Sequence, residues 1–296
     1  MSSPNHKIEL SIVVPCFNGA ATIGDLLEAL ANQKWSKPWE VIIANNGSTD
    51  STLEVVAKYQ GRVPNLRVVD ASQRRGQPYA LNTGVQAAVG ESVAICDADD
   101  VVGEGYIQAI GEALQRHSFV ACRLDVTRLN PDWLIAGRKF PQNTEVQKYS
   151  YPPFLPHAGG GTIGVSSRLW HAVGGVDETL PCLHDTDLCW KLQLAGTRLV
   201  FVPEAVIHIR LRHTLKGIFR QAYSWGEYNV NVYKRYRAHG MPKLSCRGGV
   251  AAWIRILRLS RGYRRMDPQA RAQFVWELAW RTGRVKGSLK HRVFAL

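Results

Sequence analysis

The chain has 296 residues, 45% of them hydrophobic, and a formal net charge of +13. Such a length and apolar content argue against a disordered tract and allow one large domain, or one domain with a helical appendage. Six Cys without a Cys-x-x-Cys pair argue against a disulfide framework or a zinc site and fit reduced thiols. The opening MSSPNHKIEL lacks the apolar stretch of a signal peptide, and no run of eighteen apolar residues occurs. The expected setting is cytoplasmic, without a membrane span. From His208 to Leu296 there are 20 Lys or Arg and 3 Asp or Glu, a balance of +17, which leaves −4 for residues 1–207. A tail this basic suits a polyanionic partner: phosphate groups, an anionic membrane surface or nucleic acid.

Strand and helix signals alternate over the first hundred residues. ELSIVVP is a short β-branched run ended by Pro15, and AATIGDLLEALANQ follows with Ile23, Leu26, Leu27 and Leu30 at helical spacing. EVIIAN predicts a second strand and STDSTLEVVAKY a helix with Ser and Asp for its cap. LRVVD, PYALNTGVQAAV and SVAIC continue as strand, helix and strand. Repeated β-α-β-α implies a parallel sheet with helices on its faces, and ligands bind such sheets at the carboxyl ends of the strands. A helix at YIQAIGEALQRH and a strand at FVACRLDV come next, then an irregular, Pro-rich loop from Asn130 to Pro156. HAGGGTIGVSSRLWHAVGG gives a Gly-rich turn, a strand and a helix, DTDLCWKLQLAG a helix stopped by Gly196, and RLVFVPEAVIHI one or two strands. From Arg210 onward the pattern is helical and basic.

The stretch ICDADD places Asp97, Asp99 and Asp100 directly after an apolar run, with no cation within three residues. One reading is a polar turn whose Asp caps the next helix. The other is a site for a hard divalent cation: like charges repel unless something positive is bound, and alternation along an extended backbone puts Asp97 and Asp99 on one side. Spacing alone leaves both open. Asp185 and Asp187 in LHDTDLCW likewise fit either helix capping or chemistry.

Five segments occur in order: SIVVPCFNGAATIGDLLEALANQ, VIIANNGSTDST, LNTGVQAAVGESVAICDADD, VGGVDETL and HDTDLCWKLQLAG. Together they resemble the family 2 glycosyltransferases, inverting enzymes of GT-A fold that use nucleotide-sugar donors. The resemblance covers residues 9 to about 210. It implies an α/β catalytic domain over 1–210, Rossmann-like with a mostly parallel sheet; the region over 211–296 is expected from its own pattern to be a basic, Trp-containing helical extension. It implies donor contacts from Pro15, Phe17 and Asn18 after the first strand and from Asn45 and Asn46 after the second. The family usually has Asp-Asp there, so base preference is in question, although an amide still donates and accepts. Gln77 and Leu81 stand where family members often carry a cation, leaving Arg74 and Arg75 as the nearest substitutes for holding a diphosphate. Asp97, Ala98 and Asp99 match the D-x-D element, with Asp99 the direct ligand of Mn²⁺ or Mg²⁺, Asp97 nearer the ribose, and His208 a weak third ligand. Asp185 is the implied catalytic base, flanked by His184 in place of the family's Glu and by Asp187. Gly160, Gly161 and Thr162 match the acceptor side; without a Lys-Ser/Thr the Gly run is no phosphate loop.

In the tail, Arg255, Arg258, Arg261 and Arg265 lie at helical spacing, with Val250, Trp253, Ile254 and Leu257 on another face and Trp276 and Trp280 further on. That pattern fits a helix on an anionic bilayer, or an appendage packed on the catalytic domain. No binding motif accompanies the charge, so nucleic acid is not expected. QAYSW at 221–225 lacks the Arg of the processive synthases' Q-x-x-R-W, and spans are absent, which favours single-sugar transfer. The expected activity is metal-dependent transfer of one sugar from a nucleotide-diphosphate sugar, UDP being the expected nucleotide, to a saccharide or lipid-linked acceptor of the cell envelope. The expected location is cytoplasmic, peripheral on the inner face of the membrane. The alternatives are a catalytically silent nucleotide-sugar-binding module and a basic membrane-surface protein.

Overall fold

The computed structural model describes residues 7–136 and 138–295. In chain order the elements are β1 (Leu10–Cys16), α1 (Ile23–Ala31), β2 (Trp39–Asn45), α2 (Thr52–Ala57), β3 (Leu66–Asp70), α3 (Gln77–Ala87), β4 (Ser92–Ile95) and β5 (Val101–Val102). There follow α4 (Tyr106–Arg116), β6 (Phe119–Asp125), α5 (Asp132–Ile135), β7 (Ile163–Ser166), α6 (Ser167–Ala172), α7 (His184–Leu194) and β8 (Val200–His208). The chain ends in α8 (Leu215–Tyr236), α9 (Cys246–Ser260) and α10 (Pro268–His291).

The eight strands form one sheet in the order β3-β2-β1-β4-β7-β6-β8-β5. Parallel pairing joins β1 to β2 and β4, β2 to β3, and β6 to β8. The antiparallel pairs are β4–β7, β6–β7 and β5–β8. β1 and β2 are buried at every position, as strands covered by helices on both faces must be. The apolar face of α1 (Ile23, Leu26, Leu27, Leu30) packs with Ile12, Val14, Val41 and Ile43 in the core. Register then sets the working edge. Cys16 pairs with Asn45, and Val13 with Ile95, so the chain leaves β1, β2 and β4 on the same side.

Pro15 does not end the first strand; β1 runs on to Cys16. The Val13 carbonyl accepts from Cys96 N–H, so by alternation Pro15 faces the same side. The β4 ladder stops at Val13, and the missing N–H of Pro15 therefore deprives no partner. β5, two residues long, is too short to show a period in the sequence. The expected loop from Asn130 to Pro156 contains α5 and a 3₁₀ turn at Pro141–Asn143.

The chain folds into two compact units: 1–128, 140–147 and 156–210 in the first, and 129–139, 148–155 and 211–296 in the second. The second unit is helical, and two short segments from within the first unit's stretch of chain belong to it. In it α8 packs along α10, and glycine sets their approach. A methyl group at Gly226 would overlap the carbonyl of Trp280, and one at Gly283 would overlap the carbonyl of Tyr223. Beside this contact Arg284 is fully buried, its guanidinium 4.5 Å from the Tyr151 ring and 4.7 Å from the Trp280 ring, donating to Asn229 Oδ1. Burial pulls its pKa down to about 10. The aromatic faces partly replace the water it has lost. Glu227 pairs with Lys286 at 2.7 Å and Lys290 at 2.9 Å. Among the described residues no helix is long and apolar enough to cross a membrane.

Gly283→Val should drive α8 and α10 apart and lower stability by about 1–3 kcal/mol or more in urea unfolding. Gly248→Ala, whose added methyl meets nothing within 4 Å, should leave the midpoint unchanged or slightly raised.

Candidate active site

The turn after β1 is tied to the turn after β2. Asn18 sits in the left-handed region (φ 51°); its N–H donates to Ser48 Oγ at 3.0 Å and its Oδ1 accepts from Thr49 N–H at 2.8 Å. Gly19 N–H donates to Thr52 Oγ1 (2.9 Å) and Ala20 N–H to Asp50 Oδ2 (3.1 Å). Between them Phe17 is left 47% exposed, with the Arg75 guanidinium 4.3 Å over its ring. Cys16 is buried, and that burial pushes its thiol up to about 11, so it is inert as a nucleophile. Arg74, the other candidate cation, pairs with Glu178.

Asn45 and Asn46 are buried, and each side chain hydrogen-bonds within the fold. Asn45 Oδ1 accepts from Ser48 N–H at 3.1 Å. Asn46 Nδ2 donates to the carbonyls of Ala71 and, at 2.7 Å, Arg74, while its Oδ1 accepts from Gly76 N–H at 2.9 Å. Asn46 thus clamps the 71–76 loop that carries Arg75. A carboxylate there would face two carbonyls with nothing to donate. This explains locally why an amide replaces the acid that the family usually has.

Asp97, Ala98 and Asp99 follow β4 and are half-buried, while Asp100 is buried. Asp97 Oδ1 accepts from Gln77 Nε2 at 2.7 Å, and the Ala98 carbonyl accepts from Thr22 Oγ1 at 3.1 Å. Burial, then the charges of Asp97 and Asp99, push the Asp100 carboxyl well above the usual carboxylate range. Asp100 is turned inward: its Oδ1 accepts from Arg210 N–H at 2.9 Å, and Arg210 Nε donates to the Asp99 carbonyl at 3.1 Å. Arg210, 110 residues on, thus gives Asp100 its backbone N–H and brings a positive charge close by, its guanidinium reaching the Asp99 carbonyl and, at 3.2 Å, Asp25 Oδ2.

A glycine turn brings the second acid to this place. A Cβ on Gly161 would lie 3.0 Å from Asp97 Oδ2, and one on Gly160 would lie 3.7 Å from Asp185 Oδ2. Asp97 and Asp185, far apart in the sequence, thus flank two adjacent residues that have no side chains. The turn is held by Gln142, buried at 1% exposure. Its Nε2 donates to Thr162 Oγ1 (2.5 Å) and the Cys122 carbonyl (3.0 Å), and its Oε1 accepts from Gly159 N–H (3.0 Å). Thr162 Oγ1 in turn donates to the Gly159 carbonyl at 2.7 Å.

Asp185 opens α7 and accepts from Thr186 N–H at 2.8 Å. Burial holds the imidazoles of His184 and His157 below their usual pKa, against the charge of Asp185. Both are neutral neighbours at neutral pH. Asp187 is buried beside Lys191 at 3.3 Å, a turn further along α7.

The oxygen-only donor set of Asp97 and Asp99 fits Mg²⁺ or Mn²⁺. Among the described residues no three His, Cys, Asp or Glu side chains converge as a closed metal cage. A hard cation held by one or two carboxylates and completed by water and substrate phosphates matches that arrangement. His208 Nδ1 lies 2.6 Å from Asp125 Oδ2. Sequence patterns missed Gln77, Gln142 and Arg210 as parts of the site; of these only Gln77, at the place of an expected cation, carried a signal.

A family model described as Glycosyl transferase family 2 matches residues 11–168, and a second, Glycosyl transferase family group 2, matches residues 92–282. The chain belongs to glycosyltransferase family 2. An Escherichia coli (strain K12) protein named as an uncharacterized glycosyltransferase, YibD, is 28% identical over 250 residues, 78% of this chain and 69% of that one. The poly-β-1,6-N-acetyl-D-glucosamine synthase of Staphylococcus aureus (strain COL) is 26% identical over 243 residues, 76% of this chain and 56% of the synthase. This glycosyltransferase thus aligns with little more than half the synthase's length. Among solved structures, the mannosyltransferase PcManGT of Pyrobaculum calidifontis, in complex with GDP-Man and Mn²⁺, superposes with a TM-score of 0.65 at 18% identity, covering 97% of this chain and 89% of that one. The glycosyltransferase has the GT-A fold, a mixed sheet flanked by helices.

Replacing Asn46 with Asp should cost about 1–3 kcal/mol in denaturant unfolding and speed proteolysis within residues 71–76. Unchanged stability and cleavage would remove Asn46 from its clamping role.

Proposed function

We propose that this glycosyltransferase moves a single sugar, with inversion, from a nucleotide-diphosphate sugar to an acceptor hydroxyl, using Mn²⁺ or Mg²⁺. The observation that carries this reading is the pair Asp97 and Asp185 on either side of Gly160–Gly161. Asp99 and Asp97 would hold the cation, which when bound stabilises the charge gathering on the leaving diphosphate. Phe17 offers its ring to the nucleoside and Arg75 its charge to the diphosphate; Asn18, Asn45, Asn46 and Pro15 shape that side. Gly161, having no Cβ, lets Asp97 lie against the turn, and the sugar would sit over the bare backbone of Gly160. Asp185 accepts the proton of the acceptor hydroxyl as its oxygen attacks the anomeric carbon. The bond from that carbon to the β-phosphate oxygen breaks, and its electrons leave with the nucleoside diphosphate. Thr162, His184 and Asp187 fix the acceptor-side wall through the contacts described above. The acceptor is a saccharide or lipid-linked glycan of the cell envelope, a reading supported by the polysaccharide synthase among the relatives.

Asp185→Asn should retain UDP or GDP binding in the presence of Mn²⁺, by calorimetry, while transfer falls by about 10²–10⁴-fold. Retained turnover would refute the base; wild-type binding without donor hydrolysis or transfer would instead favour a silent module.

A second, compatible reading concerns location. Val250, Ile254 and Leu257, at spacings of four and three along α9, are 58%, 45% and 63% exposed, whereas Ile256 on another face is buried. Arg258 and Arg261 border this apolar stripe and are exposed. We place that stripe on the inner, cytoplasmic surface of an anionic membrane, with the arginines at the headgroups. The full chain should sediment with phosphatidylglycerol vesicles but not phosphatidylcholine vesicles, less so with added salt. Leu257→Asp should weaken the association without shifting the unfolding midpoint; equal sedimentation of the variant would reject this surface.

A further inference from the structure

The helical unit contains a cavity of about 310 Å³, within the size range of about 300–1,000 Å³ typical of small-molecule sites. α5, the start of α8 and the first half of α10 enclose it. Its apolar floor is Leu134, Ile218 and Ala272, which form a small core cluster of their own. Trp133 and Trp276 are its aromatic walls, and Trp276 is braced edge-on by Trp225, ring centroids 5.4 Å apart. Arg138, Lys139 and Arg212 give it three cations, and among the described residues no Asp or Glu lines it. Gln221 and Gln273 add side-chain amides, each able to donate and accept.

Each part selects a different portion of a ligand. Three cations without a lining acid favour a compact dianion over a neutral molecule. Tryptophan faces favour the C–H face of a pyranose or another flat apolar surface. Amides at the same opening favour hydroxyl groups. Arg138 is half-buried, and burial lowers its pKa; a bound anion would offset that cost. We propose that this cavity binds a phosphorylated sugar, its phosphate against Arg138, Lys139 and Arg212 and its ring between Trp133 and Trp276. The phosphate ester is either free in solution or the headgroup of a lipid. This site is separate from the reaction assigned to Asp97, Asp99 and Asp185 and does not rest on it.

The test uses the full chain and glucose 1-phosphate as probe, with glucose and inorganic phosphate as its two halves, followed by calorimetry in the presence of saturating UDP and Mn²⁺ so that the nucleotide site is filled. Saturable binding of glucose 1-phosphate is expected, about tenfold or more tighter than of either half. Lys139→Gln with Arg212→Gln, both at exposed positions, should weaken it about tenfold or more while leaving the UDP–Mn²⁺ isotherm unchanged. Trp133→Ala should weaken glucose 1-phosphate but not inorganic phosphate. In a parallel arm, vesicles containing phosphatidylinositol 4-phosphate, which carries a phosphomonoester on its ring, are compared with phosphatidylserine vesicles of equal total charge. A preference for the inositol lipid that the double variant abolishes assigns the lipid source; saturable binding of the free ester alone assigns the soluble one. If neither probe binds saturably, or the double variant binds both as the wild type does, the proposal fails. A lost UDP–Mn²⁺ isotherm in the wild type would strike the catalytic reading instead.

Discussion

A glycine turn bordered by two acids from distant parts of the chain is the constraint on which the sheet unit turns. Asp97 belongs to the strand end after β4 and Asp185 to the start of α7, and they border adjacent glycines; a Cβ on Gly161 would crowd Asp97 Oδ2 at 3.0 Å, so that approach needs glycine. Grouping the like charges of Asp97, Asp99 and Asp100 is unfavourable, and the surroundings answer it in two ways: Arg210 N–H donates to Asp100, and Gln77 donates to Asp97. Burial keeps His184 and His157 neutral, so they leave the charge of Asp185 in place. Asp97 and Asp99 are half-buried carboxylates, oxygen donors of the kind a small hard cation takes, and Asp185 borders the same glycine turn.

The turn is fixed from beneath by one amide. Gln142 satisfies a side-chain hydroxyl, a strand carbonyl and a loop N–H together, and it does so while almost wholly removed from water. A buried amide bonded on both its ends is a stiff support, since any shift leaves a polar group without a partner. Asn46 does the same for the loop bearing Arg75. Two neutral amides therefore position the charged groups without adding to the charge.

Much of this arrangement was legible in the order of residues. The β-α alternation is carried by periodic apolar positions such as Ile23, Leu26, Leu27 and Leu30, and the D-x-D turn and the acid at the head of α7 are local motifs. What was not legible is non-local or aperiodic. Arg210 meets Asp100 through β8 register, Gln142 lies in a stretch whose Pro and Gly content says only that it is irregular, and β5 is too short to have a period. The amide of Asn46 also holds the 71–76 loop, a use that no pattern of residue types reveals. The contact of His208 Nδ1 with Asp125, its register partner on β6, is non-local in the same way.

The sandwich of Arg284 between Tyr151 and Trp280 has a consequence for how this chain can be divided. Tyr151 comes from residues 148–155, a short excursion out of the sheet unit, while Arg284 and Trp280 come from the end of the chain. The helical unit is thus stitched from three separate lengths of polypeptide. Excision at residue 210 would strand the aromatic residues of that excursion in water and leave a guanidinium without its cover. The two units are distinct as bodies but not as gene fragments, and any transplant of the catalytic half must carry its borrowed loops' partners along.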